Sequence, residues 1–306
     1  MRGWGRDEPE LGAGSVNVGV VDIGTNSMRL LITDGTTELG RWVEVTGLGR
    51  GVDRTGLLSN AGIEDSLAAL RRFGAEMDDA GVGRRAAIAT SASRDASNRE
   101  EFFDRAETAL GVRPRLISGE EEARLAYSGV SAESRWPEPI VVSDIGGGST
   151  ELVTSRGGTS YVIGSVRLTE RVMPSRPALP GELSAARALA AAVFAEVDLP
   201  EKALVGVAGT WTSLAAMAHH RPSHGGEPVH GYPLTRADLT SLIELLASMT
   251  VEETAAIPAL DPKRAPVILG GAVVAEAVMA ALGVEVGTVS EHDILDGLAM
   301  ELLALP

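Results

Sequence analysis

The chain is predicted to be an α/β protein of two halves built on one plan, and three observations carry that prediction. The stretch Val20-Val21-Asp22-Ile23-Gly24-Thr25-Asn26-Ser27 returns as Val142-Ser143-Asp144-Ile145-Gly146-Gly147-Gly148-Ser149, each time after one short apolar run and before another. Segments of strand character alternate with segments of helical periodicity, the pattern of sheets covered by helices. The 306 residues are enough for two domains with cores of their own.

In the first half, residues 28–33 read as a strand, Asp34-Gly35 as a hairpin turn and residues 38–46 as the returning strand. Ile63, Leu67, Leu70, Phe73 and Met77 recur at helical spacing, predicting a helix over 60–79. Residues 86–89 form a buried type of strand leading into Thr90-Ser91-Ala92-Ser93-Arg94. A helix over 99–110 follows, with Asn98 as its expected N-cap, and then a strand over 112–117. Ser118 and Glu121 have the spacing of a capping box.

The second half repeats this grammar. Strands are expected at 141–145, 152–154, 161–164 and 203–207, and helices at 184–196 and 208–217. Residues 219–233, with His219, His220, His224 and His230 among Pro and Gly, read as a long loop whose histidines lack metal-ligand spacing. Helices over 235–247, 264–282 and 291–304 close the chain, and residues 1–15 read as a flexible tail.

Composition narrows the function. Hydrophobic residues are 44% and charged residues 23%, no run approaches a membrane span, and the first ten residues lack a signal peptide's apolar region. Cysteine is absent, which excludes disulfides, thiolate metal sites and a Cys nucleophile and points to the cytoplasm. The net charge of −15 disfavours binding to nucleic acid. A phosphate ligand would need local attraction from backbone amides, helix N-termini, a few arginines and a divalent cation.

The repeated turns meet that need. Gly has no Cβ, so backbone N–H groups can approach an anion closely. Two such turns facing each other, Gly24-Thr25-Asn26-Ser27 and Gly146-Gly147-Gly148-Ser149, would clamp a phosphate chain. Asp22 and Asp144, at strand ends beside the turns, can hold Mg²⁺ (or Mn²⁺) against phosphates or cap their own turns; the repetition favours the metal. Glu122 lies on the inward face of its helix, where a carboxylate either activates a water or pairs with an arginine. Arg94 at a strand end can grip phosphate bidentately. Gly209-Thr210, at the start of a helix, offers a third anion or nucleotide contact.

The chain resembles the exopolyphosphatase / guanosine pentaphosphate phosphatase group of the actin, sugar-kinase and Hsp70 ATPase superfamily. The resemblance rests on the two Asp turns, residues 89–96, residues 117–124, Gly164-Ser165-Val166-Arg167-Leu168-Thr169-Glu170 and Gly206-Val207-Ala208-Gly209-Thr210. It implies two duplicated actin-like (ribonuclease H-like) domains with an interdomain active-site cleft. Domain I would take residues 16–128 plus 290–306, and domain II residues 129–289. It also implies that Glu122 is the catalytic carboxylate, that Arg94 binds phosphate, and that Asp22, Asp144 and Glu151 are the site's acids near Mg²⁺. The ligand would be inorganic polyphosphate or a (p)ppGpp-type molecule, and the assembly a homodimer. The family's closing motif carries an Arg in a G-L-R-E-G-type run, whereas Asp293-Ile294-Leu295-Asp296-Gly297 places Asp296 near that position. The C-terminal helical domain of longer members is not present by residue 306, so a preference for short chains is expected. The rival readings are a superfamily ATPase or kinase, with adenosine at Gly209-Thr210, and a non-catalytic phosphate-chain sensor.

Overall fold

In the computed structural model, which describes residues 16–220 and 229–305, the repeated sequence plan becomes a repeated topology. The first half runs β1 (Val18–Ile23), β2 (Ser27–Thr33), β3 (Glu38–Val45), α1 (Val52–Thr55), α2 (Asn60–Asp79), β4 (Arg84–Ala89), α3 (Ser91–Asp95), α4 (Arg99–Leu110), β5 (Arg115–Leu116) and α5 (Gly119–Ser131). The second runs β6 (Ile140–Ile145), β7 (Thr150–Thr154), β8 (Gly157–Tyr161), α6 (Ser165–Val172), α7 (Pro180–Val193), β9 (Ala203–Val207), α8 (Ala208–Ala218), β10 (Pro233–Thr235), α9 (Arg236–Ser248), α10 (Val251–Ala255), α11 (Ile268–Leu282), β11 (Val286–Val289) and α12 (Ile294–Leu303). A short 3₁₀ turn, Pro262–Arg264, precedes α11.

The first sheet has the order β3-β2-β1-β4-β5, with an antiparallel meander followed by two parallel strands. In the second, β8-β7-β6-β9-β11 reproduces that order and those directions, and β10 adds an antiparallel edge. Both sheets are mixed, and the fold is the duplicated actin-like plan.

Each sheet has its own core. Phe73, Phe102, Leu67 and Met77 pack on the first, while Trp211, Phe194 and the largely apolar α11 fill the second. Helix α5 lies between them. Its Leu125 packs with Ile294, Leu298, Val20 and Ile88 against the first sheet, and its Ala123 and Val130 pack with Val142, Val153 and Val205 of the second. The closing helix α12 therefore returns to the first sheet and brackets α5. A side chain on the first turn of α5 is thus fixed by both halves.

Several local expectations are corrected. Asn98 does stand at the N-cap of α4, but its side chain makes no cap bond; it bonds both the N–H (2.9 Å) and the carbonyl (3.0 Å) of Leu58, a tertiary partner that outcompetes the local one. Ser118 caps α5 by accepting from Glu121 N–H at 3.2 Å, but Glu121's carboxylate pairs with Arg115 instead of closing the box. The strand expected at 161–164 lies earlier, at Gly157–Tyr161, because Gly164 is already the N-cap of α6. The strand over 112–117 shrinks to Arg115–Leu116. Helix α7 begins earlier than expected, with Pro180 in its first turn and Glu182 reaching back to Leu179 N–H at 3.3 Å. Part of the expected 219–233 loop becomes β10. His224 and the expected tail over 1–15 lie outside the described residues.

Candidate active site

Both turns are built alike. Gly24 N–H donates to the Ser27 carbonyl at 3.1 Å, and Gly146 N–H to the Ser149 carbonyl at 3.0 Å. They face each other: a Cβ on Gly148 would lie 3.1 Å from Thr25 Oγ1, so glycine there is what admits the close approach. The N–H groups of Gly147 and Gly148 find no acceptor among the described residues. Between the turns lies a small cleft open to solvent.

The cleft wall brings together Asp22, Thr25, Ser27, Glu122, Asp144, the run Gly146–Ser149, Gly209 and Thr210. Gly24, Asn26, Arg94 and Glu151 are set back from it. Asn26 serves the turn's own structure, its carbonyl accepting from Thr46 N–H and Gly47 N–H at 3.0 Å each. Arg94 sits behind Glu122, its Nη1 donating to Glu122 Oε2 at 2.8 Å and to the Ile117 carbonyl at 3.0 Å. The arginine pairing and the inward carboxylate, weighed as alternatives in the sequence, are both present.

The four acids differ in how their charge is balanced. Asp22 is 3% exposed, and its Oδ2 accepts from Arg29 Nε and Nη2 at 3.0 and 2.7 Å. Burial still raises its pKa, with Arg29 opposing. Asp144 stands opposite Glu151 in the β6–β7 register. Glu151 is fully buried; Oε1 accepts from Ser160 Oγ at 2.6 Å, and Oε2 has no partner. Burial first, then Glu122 and Asp144, hold Glu151 well above the usual carboxylate range. Burial also raises Asp144, against Arg29 and with the help of Glu122. Glu122 is pushed up by burial to about 7, against the pull of Arg94. A buried set of four carboxylates, of which Asp22 and Glu122 have arginine partners, can hold a hard divalent cation, and the orphaned oxygens Asp22 Oδ1 and Glu151 Oε2 agree with that donor set. Among the described residues no three of these acids bring ligand oxygens within 4.8 Å of one another. That suits Mg²⁺, which is typically held by one or two carboxylates together with substrate phosphates and water.

Several residues of the site were missed in the sequence. Arg29 lines the cleft and also pairs with Asp293, at the start of α12. An arginine inside the apolar strand Met28–Ile32 was the available signal, since an inward charge requires a partner. Arg264 lines the cleft against Gly209, where any side chain would run into its guanidinium; that guanidinium has no hydrogen-bond partner among the described residues. Beside it Ala208 adopts φ 65°, a left-handed conformation that costs about 1–2 kcal/mol for a non-glycine residue. Arg167 donates from Nε to the Gly148 carbonyl at 2.8 Å and pairs with Asp53 and Asp95, tying the second turn to the first half. Asp296 faces Arg41 (2.8 Å) and donates nothing to the cleft; it accepts from Asp293 N–H at the cap of α12.

Two opposed glycine turns, an arginine from each half and a buried carboxylate with its pKa raised to about 7 thus meet in one cleft. The chain belongs to the Ppx/GppA phosphatase family, whose model matches residues 31–305. It is an enzyme of the phosphoanhydride hydrolase class. Exopolyphosphatase 2 of Mycobacterium tuberculosis is 37% identical over 93% of this chain and 98% of its own length. A crystal structure of an exopolyphosphatase-like protein superposes with a TM-score of 0.89 at 34% identity, covering 94% of this chain and 98% of the other. The Aquifex aeolicus family member gives 0.76 at 30% identity, over 94% and 97%. No helix among the described residues is long and apolar enough to cross a membrane.

Proposed function

We propose that this protein removes the terminal phosphate of inorganic polyphosphate, with Glu122 as the general base. The observation that carries the reading is the position of Glu122: buried on the first turn of α5, on the wall between the two turns, with its pKa raised to about 7. A base with a pKa near the working pH is the effective one.

The terminal phosphate sits between the turns, where Gly147 and Gly148 N–H groups and the Thr25 and Ser149 hydroxyls hold its oxygens. Arg264 and Arg29 supply positive charge. Arg94 anchors one oxygen of Glu122 and leaves the other to accept a proton from water. As that proton leaves, the water oxygen bonds to phosphorus and the bridging P–O bond breaks in line, releasing orthophosphate and a chain one residue shorter. Asp144, with Glu151 behind it, would hold Mg²⁺, which neutralises charge developing on the phosphates.

The net charge of −15 repels the distal part of a long polyanion, so short chains are the favoured substrates. Phosphate release from short and long polyphosphate, pppGpp and ATP, measured side by side at two salt concentrations, tests the whole reading. Short polyphosphate should give the highest kcat/KM. A pppGpp rate above the polyphosphate rate would make the protein a guanosine pentaphosphate phosphatase. Efficiency rising steadily with chain length at either salt would refute the short-chain preference.

A further inference from the structure

Beyond the C-terminal end of α5, the end opposite Glu122, three side chains from distant parts of the sequence converge. Glu133 lies just beyond the C-terminus of α5, His230 just before β10, and His292 just before α12. One ligand atom from each lies within 4.8 Å of the other two. We propose that these residues form a binding site for a borderline divalent metal, zinc foremost, separate from the Mg²⁺ carboxylates of the cleft.

The donor set is the first argument. Two imidazoles and one carboxylate suit Zn²⁺ and its neighbours, whereas Mg²⁺ prefers oxygen alone. The spacing is the second. His230 Nε2 is 3.1 Å from Glu133 Oε2, close to the roughly 3.3 Å between two ligands on one tetrahedral ion with bonds of about 2 Å. Glu133 Oε2 is buried and without a hydrogen-bond partner among the described residues, while Oε1 is shared by Arg135 Nε at 2.6 Å and His230 Nε2 at 3.3 Å.

The surroundings of His292 are the third argument. Its Nδ1 lies 3.3 Å from Asp296 Oδ1, facing that carboxylate. A carboxylate on one ring nitrogen fixes the tautomer and leaves the other as a ligand, the usual support for a metal-bound histidine. The His292 side chain is 47% exposed, so an ion can reach it from solvent and the ring can swing inward.

His230 imposes a cost. Glu291 N–H donates to His230 Nδ1 at 3.2 Å, which puts the ring proton on Nε2, facing Glu133. Metal binding through Nε2 moves that proton to Nδ1 and breaks this long hydrogen bond. A single such bond is minor beside the affinity of a three-ligand zinc site. The bound ion would then tie the edge strand β10 of the second sheet to the start of α12, whose Asp293 holds Arg29 in the cleft.

The test uses the full chain, stripped of metal and then held in saturating Mg²⁺ so that the cleft acids are occupied. Co²⁺ is titrated as a spectroscopic stand-in for zinc. One equivalent should give visible d–d absorption of a tetrahedral nitrogen/oxygen site and be displaced by Zn²⁺. His292→Ala, the exposed ligand, and Glu133→Gln should each weaken binding at least about 10-fold, while Asp144→Asn should bind as the unaltered protein does. Absence of a saturable spectrum in the unaltered protein would overturn the proposal. So would a spectrum that survives His292→Ala and vanishes in Asp144→Asn, because the ion would then belong to the cleft. Because the readout is metal binding and not turnover, failure here would leave the polyphosphatase reading untouched.

Discussion

The two Asp turns share a backbone and differ in the residue paired with the Asp. On the first hairpin Asp22 stands opposite Arg29; on the second, at the same register, Asp144 stands opposite Glu151. The first pair is an ion pair, 4% and 13% exposed, with Asp293 as a third member. The second places two buried acids side by side and adds Glu122 to their electrostatic neighbourhood. The same backbone turn thus recurs in both halves while the charges beside it differ. The first turn pairs its acid with an arginine; on the second, burial and neighbouring acids both disfavour the charged carboxylates. Loss of the paired charge on the first hairpin should then act chiefly on stability, and loss of an acid on the second chiefly on turnover.

The largest effects are therefore expected around the second turn. Asp144→Asn and Glu122→Gln should each lower kcat by on the order of 10²-fold or more, the usual scale for loss of a catalytic acid or base. Excess Mg²⁺ should recover little of the Asp144→Asn loss, and binding of polyphosphate to Glu122→Gln should stay close to that of the unaltered protein. Full turnover by the unaltered chain in excess chelator would break the comparison outright.

The first turn should answer in stability. Arg29→Met strands Asp22 without its cation and leaves Asp293 only the 3.8 Å contact with Arg41, and removing one partner of a buried pair typically costs about 3–5 kcal/mol. Denaturant midpoints would record it. Glu151→Gln, the equivalent position, should leave the metal-free protein as stable or more so, since it removes one of two crowded acids. Equal destabilisation by both substitutions would mean that the two hairpins do not differ in charge balance.

Arg167→Met should be next in size, lowering kcat/KM by roughly 10-fold (about 1.4 kcal/mol) through loss of its bonds to Gly148, Asp53 and Asp95. The salt dependence of turnover should also change, because the partly exposed Asp53–Arg171 pair at 2.7 Å would then hold the halves with less help.

Most of this architecture was legible in the sequence. The repeat, the hairpins, the long helices and the inward place of Glu122 follow from periodicity and turn chemistry, which are local. The parts that were not legible depend on partners far away in the chain. Asn98 has the sequence of an N-cap, yet Leu58 lies 40 residues off and takes its side chain. Helix α6 and strands β10 and β11 are too short to show a period among their Gly and Pro neighbours. Arg264 carries no local signal at all; only its meeting with Gly209 and Ala208 across the fold places it in the cleft.

The smallest predicted effect is the most direct reading of the charge difference. Burial and mutual repulsion raise the pKa of Asp144 and Glu151 in the folded chain above the unfolded value of about 4. A carboxyl raised by folding binds its proton more tightly in the native state, so its contribution is favourable below the unfolded pKa and is lost as pH climbs through the folded one. The metal-free protein should accordingly lose stability between about pH 4 and neutrality. Each tenfold tightening of a carboxyl's hold on its proton corresponds to about 1.4 kcal/mol, and a loss of that size lowers Tm by roughly 2–5 °C in a protein with domains this large. Saturating Mg²⁺ at neutral pH should restore the difference, and Asp144→Asn should flatten the pH dependence and remove the Mg²⁺ response together. Thermal melts of the two chains across that range, with and without Mg²⁺, would decide it. A Tm that rises with pH in the metal-free protein, or an Asp22→Asn variant that flattens the curve as much as Asp144→Asn does, would place the disfavoured charge on the wrong turn.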